Sequence, residues 1–348
     1  MRVLITGGAG YVGSGLVPKL LEDGHHVTVY DVAWFGDGHL PRENSHLKIR
    51  RGDIRDTKKL ANCLAGIDAV LQLACVSNDH SCQLDEALST SINYDAFEPL
   101  VIEAKNAGVK RFVYCSSSSV YGVSDAPEIR EDHPLVPLTL YNKYKGMCEP
   151  LLFKHMADNF ECVAIRPATV CGYAQRMRFD LTVNIITAHA FNKGVITVFG
   201  GKQKRPNLHI QDMVDCYRMM LSAPKEKIQG QTFNVGCENL RVEEIAELVK
   251  RVVEKRTGKT IGIETQESTD TRSYHVNSDK IKDVLGFVPK RTVEDAVNDL
   301  CEQFEAGRFG DALTNPAYTN VKQLVDKGFA VKDSLASFRQ DRYAGSAG

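Results

Sequence analysis

Short β-branched runs alternate with amphipathic stretches through the first half of the chain, a glycine-rich turn follows the first run directly, and the regularity breaks after Arg166. These three observations predict an α/β protein, a doubly wound parallel sheet carrying a smaller α/β lobe. At 348 residues the chain exceeds one average domain, and 43% hydrophobic with 25% charged residues is the composition of a globular protein.

Taken in order, residues 3–6, 27–31, 47–50, 69–73, 112–116 and 163–167 read as buried strands, with helices predicted over 14–22, 57–64, 92–107 and 141–157. Strand and helix alternating at this spacing give parallel strands joined by right-handed crossovers. Pro150 falls inside the last of these helices. Its ring faces the carbonyl of Gly146, which can tilt away, so a bend near 146–150 is expected rather than a helix end. Beyond Arg166 the pattern predicts a helix over 182–192, a short strand at 196–198 and a helix over 212–222. A strand at 232–236 returns to the large sheet, followed by a helix over 242–255 and a strand at 260–264. The tail from about 309 is polar, with weak helical pattern at 318–326 and 330–338. It reads as an arm across a partner subunit or a loosely held terminus.

Lys plus Arg number 43 against 44 Asp plus Glu, a net charge of −1 that gives no electrostatic reason to expect nucleic acid or an anionic membrane as partner. No apolar run is long enough to span a bilayer, and the first strand begins too early for a signal peptide, so a cytoplasmic protein is expected. The ten cysteines are scattered without Cys-x-x-Cys or clustered His, which reads as reduced thiols and no metal site.

Gly7-Gly8-Ala9-Gly10-Tyr11-Val12-Gly13 lies between the first strand and the first helix. In that context Gly7 permits the tight turn, Gly10 lets the backbone approach a pyrophosphate and Gly13 lets helix and strand pack closely. The helix N-terminus supplies N–H groups and positive dipole to phosphates. Asp31 ends the second strand, where a carboxylate accepts hydrogen bonds from the adenosine ribose and repels a 2′-phosphate, so NAD is expected over NADP. Asp53-Ile54, after the third strand, is placed to meet the adenine. The fold is thus of Rossmann type. Residues 1–170 form the NAD-binding domain, with its return strand near 231–236. Residues 171–308 are mainly a substrate-binding lobe, and 309–348 form a C-terminal extension.

Tyr141 and Lys145 are four apart, so on a helix they share a face, and an ammonium beside the phenol lowers its pKa toward working pH. Tyr141 is then a general base toward a substrate hydroxyl. Tyr144 has Cys148 at the matching position and cannot form the same pair. Ser116-Ser117-Ser118-Ser119-Val120-Tyr121-Gly122 puts hydroxyls at the carboxyl end of a parallel strand, the edge where ligands bind in open α/β sheets.

Glycine triad, Asp31, serine run and Tyr141/Lys145, in that order, resemble the extended short-chain dehydrogenase/reductases. The resemblance is to the NAD-dependent nucleotide-sugar epimerase/dehydratase branch, 4-epimerase-like, and covers roughly residues 1–300. It implies catalytic roles for Ser117, Tyr141 and Lys145. Cofactor contacts are implied for Gly7, Gly10, Tyr11, Val12, Gly13, Asp31, Asp53, Ile54, Leu73, Ala74, Tyr141 and Lys145. Substrate contacts are implied for Ser117, Thr169, Asn184, Arg205 and Arg272, with Ser77, Asn78 and Asp79 as loop residues that either face the sugar or shape the loop. Arg205, in Arg205-Pro206-Asn207-Leu208-His209-Ile210-Gln211-Asp212, and Arg272 match the family's diphosphate-binding arginines, whose forked donors suit a pyrophosphate. The partner implied is a nucleotide-diphosphate sugar, and helices 92–107 and 141–157 resemble those that form the family's homodimer.

Departures from the family pattern narrow the chemistry. Thr169 stands where the family has Asn, and Asn277 where many members have Asp. Ser118 and Ser119 replace the acidic residues of 4,6-dehydratases and the Glu of sugar-nucleotide decarboxylases, and a hydroxyl is a poor acid or base. The expected activity is therefore epimerisation through a 4-keto sugar, with NAD regenerated. A 4-dehydrogenase or 4-keto reductase is the alternative, and a 4,6-dehydratase or a non-catalytic dinucleotide-binding protein ranks below it.

Overall fold

In a computed structural model, residues 1–124, 126–267, 273 and 275–328 are described. The first half runs β1 (Arg2–Thr6), α1 (Tyr11–Glu22), β2 (His26–Asp31), β3 (Leu47–Arg51), α2 (Thr57–Leu64), β4 (Ala69–Gln72), α3 (Asp79–Leu84), α4 (Glu86–Thr90), α5 (Phe97–Asn106), β5 (Arg111–Cys115), α6 (Leu140–Lys154) and β6 (Glu161–Pro167). It continues through β7 (Thr169–Cys171), α7 (Thr182–Lys193), β8 (Val195–Phe199), β9 (Lys204–His209), α8 (Ile210–Ser222), α9 (Lys225–Ile228), β10 (Gln231–Val235), β11 (Glu238–Arg241) and α10 (Val242–Thr257). The last elements are β12 (Gly262–Gln266), α11 (Asp279–Leu285), α12 (Val293–Glu305) and α13 (Asn320–Asp326).

Seven parallel strands form one sheet in the order β10-β6-β5-β4-β1-β2-β3. The order reverses between β1 and β4, so a crevice opens there at the carboxyl edge of the sheet. The inner strands are largely apolar because both faces are covered, whereas the edge strand β3 exposes Lys48, Arg50 and Arg51. Val3, Ile5, Val29, Val113 and Ile165 face Leu16, Val17, Met213 and Tyr217 on one side. Leu4, Tyr30, Val70, Phe112 and Ala164 face Leu60, Phe97, Leu100 and Leu152 on the other. The return strand expected at 232–236 is β10, paired in parallel with β6. A three-stranded sheet β11-β9-β7 and the parallel pair β12-β8 build the second half, packed against α7, α10 and α12 around Ile196, Val249 and Val297.

The helix expected over 92–107 is divided. A π-helical turn spans Ser91–Asp95, and α5 starts anew at Phe97. Pro99 lies in the first turn of α5, where its missing N–H is tolerated. Asn93 in the π turn reaches out of the helix, accepting from Val76 N (2.8 Å) and donating to Val76 O (3.0 Å). The long helix α6 does run through Pro150 without ending, and the Thr139 hydroxyl caps it by accepting from Asn142 N. The tail is neither loose nor extended away from its own chain up to residue 328. Tyr318 O accepts from Phe179 N (2.8 Å), while Val321 and Leu324 join the core beneath α3. The helix expected at 330–338 lies outside the described residues.

A buried polar knot fixes α6 to the sheet. Arg166 at the end of β6 donates Nε to Glu149 Oε1 (2.9 Å) and Nη2 to Glu149 Oε2 (2.6 Å), and both side chains are almost wholly buried. Ser116 Oγ donates to the same Oε1 (2.6 Å), and Arg166 Nη1 donates to Tyr121 Oη (2.7 Å), which donates to Asn234 on β10 (2.7 Å). Removing one partner of such a pair strands the other charge in the interior. Glu149→Ala should lower the unfolding free energy by about 3–5 kcal/mol in urea denaturation. A loss below about 1 kcal/mol, the scale of a surface pair, would contradict this role.

Candidate active site

The crevice at the sheet's carboxyl edge is a cleft of about 1090 Å³. Ser117, Tyr141 and Lys145 line it, as do Gly7, Gly10, Tyr11, Val12, Gly13, Asp31, Asp53, Ile54, Leu73 and Ala74. Thr169, Arg205, Ser77, Asn78 and Asp79 also line it. Arg272 lies outside the described residues.

At one end Gly7 turns with φ +73°, and a Cβ there would meet Ala74 N at 2.6 Å. A Cβ at Gly13 would meet Gly8 O at 2.3 Å, so both positions exclude any side chain. Gly10 caps α1 and leaves the helix's first N–H groups facing the cleft. Asp31 accepts from Ala9 N (3.0 Å) and Ala33 N (2.7 Å), which fixes the carboxylate while lone pairs remain for a ribose. Burial pushes its carboxyl above the usual range, partly offset by those two N–H donors. Asp53 is already engaged by Arg55, whose Nη2 donates to Oδ2 at 2.6 Å. This glycine-lined, ribose-accepting end fits a dinucleotide.

At the other end, Lys145 Nζ donates to Cys115 O (2.6 Å) and stands 5.9 Å from the Tyr141 ring centre. Tyr144 points elsewhere, bonding Thr90 Oγ1 (2.7 Å) and stacking on Tyr94. Ser117 Oγ accepts from Ser119 N (3.1 Å) and shares a 2.7 Å hydrogen bond with Ser119 Oγ, which in turn donates to Asn142 Oδ1 (2.6 Å). The serine run thus forms a chain of hydroxyls anchored on the residue after Tyr141.

Two expectations need correction. The phenol of Tyr141 is not lowered. Burial, with the thiols of Cys75 and Cys115 beside it, pushes it well above the ordinary tyrosine value. The ammonium meant to lower it already donates to a backbone carbonyl. Asn184 does not line the cleft. It is fully buried in the first turn of α7, accepting from Gly172 N (2.9 Å) and donating to Tyr11 Oη (3.2 Å) and Arg178 O (2.9 Å). With every polar atom used, it supports Tyr11 rather than a ligand. Ser77 and Asn78 line the cleft but are held by protein partners, Ser77 by Arg178 and Asn320 and Asn78 by Asp180.

Cys75, Asn142, Arg176, Arg178, Asp180 and Asn320 also line the cleft and were not anticipated. The alternating charges at 176, 178 and 180 were the readable signal. Nothing in the sequence distinguished Asn142 or Asn320.

All ten cysteines are free thiols. Among the described residues no group of His, Cys, Asp and Glu could hold a metal ion, and no helix is long and apolar enough to cross a membrane.

Fold and cleft define a dinucleotide-binding α/β protein with a serine, a tyrosine and a lysine gathered at the sheet edge. The chain belongs to the NAD dependent epimerase/dehydratase family, whose model matches residues 3–236. It is 29% identical over 325 residues to a UDP-glucose 4-epimerase of Lactobacillus helveticus, covering 85% of this chain and 95% of the relative. Its structure is similar to MoeE5 in complex with UDP-glucuronic acid and NAD, with a TM-score of 0.76 and 27% identity over 88% of this chain and 100% of that one. The UDP-glucuronic acid 4-epimerase of Bacillus cereus, solved with UDP-glucuronic acid and NAD, gives a TM-score of 0.78 at 25% identity, covering 88% and 99%.

The Asp31 carboxylate, fixed by two backbone N–H groups, is expected to set cofactor choice. NAD should bind at least about tenfold more tightly than NADP, a difference of about 1.4 kcal/mol or more, and Asp31→Ser should narrow the gap. Equal dissociation constants for the two in a calorimetric titration would contradict the ribose assignment.

Proposed function

We propose that this protein is an NAD-dependent nucleotide-sugar epimerase that works through a 4-keto sugar. The observation that carries the reading is Ser117, Tyr141 and Lys145 lining the same cleft as the glycine turn and Asp31. NAD held at the glycine-lined end would accept hydride from the sugar's C4 and return it. Tyr141 takes the C4 hydroxyl proton, Lys145 stabilises the phenolate, and Ser117 hydrogen-bonds the same sugar oxygen. Arg205, which lines the same cleft, would hold the diphosphate of the substrate through its forked donors. Hydride supplied back to the opposite face, once the keto sugar has turned, would give the C4 epimer.

The hydroxyl chain supports epimerisation over loss of water. Where a dehydratase needs a positioned acid, this cleft presents the Ser119 hydroxyl, committed to Asn142. Two further readings go with this one. Free thiols throughout fit a cytoplasmic setting. Ile102, exposed on the outer face of α5, fits a homodimer formed through α5 and α6.

UDP-, dTDP- and GDP-hexoses offered to the purified protein should yield, for one of them, a product of unchanged mass and inverted C4 by mass spectrometry and NMR. A product lighter by one water would overturn the reading in favour of dehydration. Tyr141→Phe should lower kcat by roughly 10²–10⁴-fold with NAD affinity nearly unchanged, and near wild-type turnover would remove Tyr141 as the base. Because burial raises the Tyr141 phenol, the phenolate fraction grows as pH rises. Turnover should therefore climb with pH through the alkaline range, and a flat profile in Tyr141's presence would contradict its role as base.

A further inference from the structure

Arg176 is a buried cation with an incomplete set of partners. It is 5% exposed, and its Nε is buried with no hydrogen-bond partner. Its Nη2 donates to Asn320 Oδ1 (2.5 Å), and its guanidinium lies 4.1 Å over the Phe35 ring. Among the described residues no carboxylate hydrogen-bonds it, since the neighbouring Asp180 is taken by Arg178 (2.8 and 3.1 Å). Burial and the charge of Arg178 pull its pKa down to about 9. A desolvated guanidinium with an open donor, facing a cleft, is an arrangement that an anion completes.

Its position says which anion. Arg176 N donates to Ser14 Oγ (3.1 Å), which sets the residue beside the first turns of α1, and Asp31 and Phe35 line the same part of the cleft. Resting on the reading of this end as the dinucleotide site, we infer that Arg176 binds the diphosphate of NAD together with the N-terminus of α1, and that the C-terminal helix α13 holds it there through Asn320. Asn320 has no spare polar atom. Its N donates to Asp180 Oδ2 (3.2 Å), its Nδ2 to Ser77 Oγ (2.9 Å), and its Oδ1 accepts from Arg176. Aromatic contacts fasten the segment that leads to it, with Phe179 5.1 Å from Phe309 and 5.3 Å from Tyr318 between ring centres. The C-terminal extension is thereby a wall of the cofactor site.

The test uses the full-length protein stripped of nucleotide and titrates NAD, adenosine and UDP, so no sugar turnover is needed and a failed epimerase reading leaves it interpretable. Arg176→Gln should weaken NAD by roughly ten- to hundredfold, the effect of one charge-assisted hydrogen bond, with adenosine and UDP within about twofold of wild type. Without nucleotide this variant should be at least as stable as wild type, because it removes an uncompensated buried charge. A residue serving only to hold the fold would instead lower that stability. Asn320→Ala should speed NAD release, and Asn320→Asp, whose carboxylate would pair with Arg176 in place of the diphosphate, should weaken NAD further rather than rescue it. NAD affinity unchanged in Arg176→Gln, equal losses for NAD and adenosine, or a loss confined to UDP would each overturn the inference; the last would assign Arg176 to the substrate's diphosphate.

Discussion

The bidentate pair between Arg166 and Glu149 is the interaction on which the arrangement of Ser117, Tyr141 and Lys145 depends. Tyr141 and Lys145 sit on α6, and Ser117 follows β5, so the three meet only if helix and sheet are locked in register. Glu149, two turns below Tyr141 on the same helix, receives both Arg166 from β6 and Ser116 from the end of β5. One carboxylate therefore ties the helix to two strands at the level of the cleft. A buried pair is weak evidence for net stability, but leaving it half-made is expensive, and that asymmetry penalises any slip of α6 along the sheet.

Above this knot the cleft divides by chemistry. One end has backbone N–H groups, glycines without room for a side chain, and a fixed carboxylate. The other has hydroxyls, a phenol and an ammonium. Arg176, Arg178 and Asp180 line the same cleft, and Arg176 and Asp180 are tied to the C-terminal segment through Asn320. Ser118 and Ser119, next to Ser117, offer hydroxyls rather than a carboxylic acid, which suits moving one proton at one oxygen, as oxidation and reduction at C4 require.

The parts legible in the sequence were those with local causes. Apolar runs such as Val3–Ile5 must be strands covered on both faces, and Gly7 and Gly13 announce a turn whose contacts tolerate nothing larger. What escaped the sequence was set by distant partners. The π-helical turn exists because Asn93 bonds Val76 across the loop. Asn184 looked available as a polar helix residue, but Gly172 and Tyr11 occupy it. The Tyr141 phenol was expected to be lowered by its helical neighbour, whereas burial dominates and raises it, with Cys75 and Cys115, remote in sequence, adding to the rise. The docking of α13 rests on contacts as remote as Asn320 to Ser77, 243 residues apart, which a seven-residue helix with a weak pattern cannot announce.

In the proposed cycle one carbon of the sugar gives up its hydrogen and receives it back within a single cleft. A nucleotide sugar carrying deuterium at C4, incubated with the protein in ordinary water and followed by NMR, addresses this directly. Deuterium retained at C4 in the inverted product, with none passed to added free NAD, is the expected result. Loss of the label to solvent, or its accumulation on free NAD, would contradict it.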